Sequence, residues 1–249
     1  MTDVKTAAEG RRQKKARHTR QRILAAAAEL FVRHGYAATT IQQIAEQADV
    51  AWQTVYSVFG TKAAILSAVF DVAVAGDDEP IPVAERPFVQ AIEDAADPRD
   101  KAAIFARHLR ESASRTAGVL SVIDSAAATD PEIAALWRTL QEQGLRGMTM
   151  AAGGFDEQGV LRPGLTVAHA ADILWLYVGP WAYRVLVTER GWTLDEYETW
   201  LADTLYTQLM NGGPPTRRLA WGRALRLEDF PAEHHVARHA RGLARGRQD

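Results

Sequence analysis

The stretch Thr39–Lys62, TTIQQIAEQADVAWQTVYSVFGTK, fixes most of what this chain can fold into. Ile41, Ile44, Ala45 and Ala48 recur at i, i+3, i+4 and i+7, an apolar stripe along one side of an α-helix. Thr40 supplies an N-cap oxygen, and Gln43, three residues on, completes a capping box. Asp49 and Val50 interrupt the helix, and a second, short one fits Ala51–Ser57, with Val55 and the following Phe59 turned towards the first stripe. That register leaves Trp52, Gln53 and Tyr56 together on the opposite face. Two short helices joined by a tight turn, the second with a polar and aromatic outer face, make a helix-turn-helix.

The flanking segments complete a small domain over residues 19–75. In Thr19–Tyr36, Ile23, Ala27, Leu30 and Phe31 share one helical face, and Gly35 is placed to stop the helix in the αL conformation. Thr61 is an N-cap for a further helix through Ile65, Leu66, Val69 and Phe70, with Lys62 in its first turn. The fold class is therefore all-α, a three-helix domain presenting its third helix outward, followed by a larger helical body.

Over about residues 19–70 the sequence resembles the N-terminal domain of the TetR family of bacterial transcriptional regulators. The resemblance is carried by Ile23, Phe31, Gly35, Tyr36, Thr39, Thr40, Ile44, Ala45, Ala48, Val50, Thr54, Tyr56, Phe59, Lys62 and Leu66. Ala51 departs from it, standing where the family has a Ser or Thr cap; Trp52 and Gln53 replace frequent Lys and Gly, and Val58 and Gly60 also differ. The resemblance implies a double-stranded DNA operator as partner. Phosphate contacts would fall to Thr40, Thr54, Tyr56 and Lys62, and base reading to Trp52, Gln53 and Gln42, since an amide pairs bidentately with adenine and an indole presses on a thymine methyl.

Charge supports a split between head and body. Residues 1–62 hold ten Lys/Arg against five Asp/Glu; residues 63–210 hold eleven against twenty-two; residues 211–249 hold eight against four. A basic head on an acidic body suits a reader of phosphate backbones. Residues 1–18, with Arg11, Arg12, Lys14, Lys15 and Arg17, read as a mobile basic arm. The absence of Cys excludes disulfides and thiolate metal sites and suits a cytoplasmic protein. No signal peptide or membrane span is expected.

Residues 76–210 read as a ligand-binding and dimerisation domain. Prolines and acidic residues make a connector to about Asp100, with a short helix at Pro87–Ala95. Helices then fit Lys101–Ser114, Val119–Ala128 and Asp130 to Gly153-Gly154, and a long apolar one fits Thr166–Arg190. Ile173–Tyr183 contains no charge, so this helix needs cover on every side. Pairing of Ala168–Val187 and of Leu194–Leu209 with their symmetry mates would supply it in a homodimer. Pro180 should kink the helix and open a pocket for an unknown small-molecule effector. Its expected walls are Phe105, Trp137, Met148, Trp175 and Tyr177, with His108, His169 and Asp172 as polar contacts. Residues 211–249 read as a basic, disordered tail.

No phosphate loop, HExxH, CxxC or nucleophile elbow occurs, so neither a cofactor nor a metal is expected and an enzyme is disfavoured. The functional expectation is a DNA-binding regulator, a repressor released from a palindromic operator by an apolar ligand. The alternatives are a helical carrier or enzyme with a vestigial DNA-binding domain, and a constitutive DNA binder without an effector.

Overall fold

The structure, a computed structural model, describes residues 2–77, 81, 85–178 and 180–210, with side chains from Lys14 onward except those of residues 178–180. The tail expected at 211–249 lies outside the described residues. Every regular element among the described residues is a helix.

Helix α1 spans Thr2–Ala38. It runs through the stretch expected to be a mobile arm, because residues 2–18 are rich in Ala, Lys and Arg and lack Pro. Extending an existing helix through such residues costs little. Gly35 breaks its geometry at φ 79, ψ 169. This is not the expected αL conformation but a positive-φ, extended one that is essentially glycine's alone. The buried Thr39 hydroxyl closes the corner, donating to the carbonyls of Gly35 (2.8 Å) and Leu30 (3.2 Å).

Helices α2 (Ile41–Gln47), α3 (Trp52–Phe59) and α4 (Lys62–Ala75) follow. The Thr40–Gln43 capping box is formed, and the Thr61 hydroxyl accepts from the Ala64 N–H at 3.0 Å. Helix α5 is Pro87–Asp94, with Pro at its first position. Lys101, only 5% exposed, sends its ammonium to the carbonyls of Ile92 and Glu93 and so caps α5.

Helix α6, Pro98–Ala127, is continuous where two helices were expected. Gly118 is not a break but a point of close approach: a Cβ there would lie 3.2 Å from a Val32 methyl of α1. Helix α7, Pro131–Glu157, likewise runs past Gly153-Gly154. Buried Ala152 and Phe155 flank the glycines and hold the helix, which ends before Gly159 at φ +67. The apolar stretch comprises α8 (Val167–Val178), α9 (Pro180–Tyr183) and a π-helical segment, Arg184–Glu189, and the kink expected beside Pro180 falls at residue 179, outside the described residues. Helix α10, Leu194–Leu205, opens with the Thr193–Glu196 capping box and passes into a second π-helical segment, Tyr206–Met210. Glu198 ties it to α6, accepting from Arg107 Nε (3.3 Å) and Arg110 Nε (3.0 Å).

Two apolar clusters organise the described residues. One joins α1–α4 to Val119, Val122 and Ile123 of α6 and Ile133 and Leu140 of α7. The other is built by α5–α10 around Phe105, Leu174, Tyr197, Leu201 and Leu205. The core of the N-terminal helices thus extends into two helices of the body, an arrangement invisible to helical periodicity. No single helix among the described residues is long and apolar enough to cross a membrane.

Candidate nucleic-acid interface

An eight-residue helix such as α3 has no stability of its own. Val55, fully buried, docks it, with half-buried Phe59 one turn further on. Removing one such side chain from water contributes about 1.5–3 kcal/mol. The opposite face is bare: Trp52 is 55% and Tyr56 60% exposed, and Gln53 is exposed beside them. Thr54, at the flank, is half-buried. Thr40 and Gln42 are exposed at the start of α2. The Thr40 hydroxyl is already engaged in the cap, accepting from the Gln43 N–H at 3.2 Å. The seven residues expected to meet DNA therefore lie on α3, at the start of α2 and at the start of α4.

Three ties hold this surface in place. At the turn, Asp49 has φ 49, a left-handed conformation that Asp tolerates. Arg22 of α1 grips it through Nη2, donating to the Asp49 carbonyl (2.8 Å) and to its carboxylate (2.9 Å). The guanidinium of Arg20 lies 4.9 Å from the centre of the Phe59 ring. Lys62 donates from Nζ to the carbonyls of Tyr36 (2.8 Å) and Thr39 (2.9 Å), with its ammonium 4.2 Å from the Tyr36 ring centre. Burial lowers the Lys62 pKa, opposed by Asp130. The Tyr36 phenol is pushed up to about 12, first by burial and then by Asp130 and Glu132. Lys62 is thus an internal clamp with one N–H left for a phosphate. Sequence reasoning missed Arg22 and this second role of Lys62, because both depend on contacts more than twenty residues away in the chain.

The residues expected to line an effector pocket are spread over both apolar clusters and the surface. Phe105 is buried edge-on to Phe155, and Tyr177 meets Trp200 edge-on. Met148 packs on the body cluster, whereas Trp137 packs on the N-terminal one. Trp175 fills the place a Cβ of Gly144 would take. His108 stacks on Phe88 with ring centres 3.6 Å apart, and His169 and Asp172 are exposed on α8. The physical reason is that aromatic residues at helical spacing were consumed by helix packing. A cavity of about 470 Å³ opens between α1, α4 and α6, and none of the eight lines it. No group of three or more acidic or His side chains suited to a metal occurs among the described residues.

Comparison with known proteins agrees with this geometry. Residues 23–69 match the family model for bacterial regulatory proteins of the tetR family. The chain is 29% identical over 172 residues to YdeS of Bacillus subtilis (strain 168), an uncharacterized HTH-type transcriptional regulator, covering 68% of this chain and 79% of YdeS. Among solved structures, NalD of Pseudomonas aeruginosa, the secondary repressor of the MexAB-OprM multidrug efflux pump, superposes with a TM-score of 0.57 at 21% identity, over 77% of this chain and 96% of NalD. The SmeT–triclosan complex superposes with a TM-score of 0.58 at 23% identity, over 78% of this chain and 93% of SmeT. Built on a helix-turn-helix with a bare reading face, residues 23–69 form a DNA-binding domain of the tetR regulatory-protein family, and most of the chain is similar to an HTH-type transcriptional regulator.

Proposed function

We propose that two copies of this chain form a repressor that reads a palindromic operator and is released from it by a small apolar effector. The observation that carries the reading is the Trp52–Gln53–Tyr56 face, left open to solvent directly opposite fully buried Val55. In this reading Tyr56, Thr40, Thr54 and the remaining Lys62 donor hold phosphates, and Trp52, Gln53 and Gln42 meet base edges. The homodimer forms through the helices at about 166–190 and 194–210. The apolar residues Tyr197, Leu201, Leu205 and Leu209 are buried within their own chain, so α8 and α9 supply the contact through Leu176 (64% exposed) and Trp181 (63%).

A dimer places its two reading helices on half-sites about 34–36 Å apart. An effector that favours the released form by roughly 5.5 kcal/mol moves occupancy from about 99% to about 1%. The likeness to NalD, described as a repressor, and to SmeT, held with triclosan, supports a repressor with an apolar ligand. Selection of bound sequences from a random DNA library tests the whole reading. An inverted repeat is the expected product, and Trp52→Ala and Tyr56→Ala should each weaken binding to it by about 1–3 kcal/mol in a gel shift. A library that yields no common sequence, or a lone half-site, contradicts it.

A further inference from the structure

The hollow between α1, α4 and α6 has no role in the reading above. Its floor is Leu24, Val69 and Val119, and it stays open because Ala25, Ala28 and Ala73 are too small to fill it. At about 470 Å³ it falls within the range of small-molecule sites. Apolar walls on three helices exclude sugars and nucleotides, whose many polar groups would find no partners there.

The rim carries Gln21, Asp77 and Arg115. Both oxygens of Asp77 accept from Arg86, at 2.6 and 3.1 Å. Arg115 is fixed in place by donating Nε to the Ala73 carbonyl (2.9 Å) and Nη2 to that of Val74 (3.2 Å). A guanidinium has five N–H groups, so others remain for a ligand. The Asp77 carboxylate is engaged by Arg86, which does not line the hollow, so the guanidinium of Arg115 is the rim group suited to a single negative charge.

We propose that this hollow binds a small amphipathic monoanion, an aliphatic or aryl carboxylate whose hydrocarbon body lies between the three helices and whose carboxylate meets Arg115. Its walls belong both to helices that carry the DNA-reading surface and to α6 of the body. Occupancy therefore changes operator affinity, a consequence that rests on the reading above, whereas the site itself does not.

The test uses the full chain without DNA, so that its failure is separate from failure of the regulator reading. 1-Anilinonaphthalene-8-sulfonate, an apolar body with one anionic group, is titrated by fluorescence and then displaced with dodecanoate or dodecanol. One site per chain is expected, displaced at least fivefold more effectively by dodecanoate. Ala28→Phe, and Ala25→Phe at an exposed position, should each weaken the probe at least tenfold with an unchanged melting temperature; Gln21→Phe on the exposed rim repeats the measurement without touching the core. Arg115→Gln should abolish the advantage of dodecanoate over dodecanol. Wild-type probe affinity in the three filled variants, or equal displacement by the alcohol, overturns the proposal.

Discussion

His108 is a residue whose chemistry is set by its neighbours. Stacked on Phe88, its imidazole is pushed down to about 4, chiefly by burial and then by the charges of Arg115 and Arg86. In the unfolded chain it titrates near 6.5. Between those values the unfolded state binds a proton that the folded state refuses, so stability is lost as pH falls from about 6.5 to about 4. The loss should be on the order of 2 kcal/mol, and His108→Phe should flatten it, as read by denaturant melts at pH 7 and pH 4.5. Lys62 makes the opposite kind of case, a charge held for its donors. Lys62→Met removes the ammonium donor from the carbonyls of Tyr36 and Thr39, the former keeping only the Thr39 N–H at 3.3 Å. It should cost about 1–3 kcal/mol of stability and weaken operator binding in step, measured by thermal melts and gel shifts on one preparation.

Among the elements, α3 starts without a side-chain cap: its N-cap, Ala51, makes no such bond, although its backbone (φ −67, ψ 142) suits one. Ala51→Ser should therefore add about 0.5–1 kcal/mol, seen as a higher midpoint in chemical denaturation. The α7–α8 contact is limited by space instead. A Cβ on Gly144 would sit 2.3 Å from Cζ3 of Trp175, against a rigid ring. Gly144→Ala should cost about 1–3 kcal/mol through overpacking, with the same denaturation as readout. Neither glycine-related surprise, the continuity of α6 at Gly118 or the crowding at Gly144, was legible locally. Glycine reads as a breaker until the helix packed against it is known.

For the whole molecule, the dimer proposed above would cover the exposed Leu176 and Trp181. Leu176→Glu combined with Trp181→Glu should turn a dimer into a monomer in light scattering at micromolar concentration, and weaken operator binding by at least tenfold while leaving helical content unchanged. A wild-type monomer under the same conditions contradicts the assembly.

The sequence by itself determined the local order of this protein. The stripe Ile41, Ile44, Ala45, Ala48 and the caps Thr40, Thr61 and Thr193 state their helices through short-range chemistry. That was enough to place Trp52, Gln53 and Tyr56 on one open face, because an outward face follows from which residues point inward. Tertiary structure alone decided which helices share a core, that Lys62 and Lys101 reach backbone carbonyls, and that a hollow opens between α1, α4 and α6. Periodicity reports which side of a helix is apolar, but not what that side meets, and a cavity exists only where three such sides fail to fill the space between them.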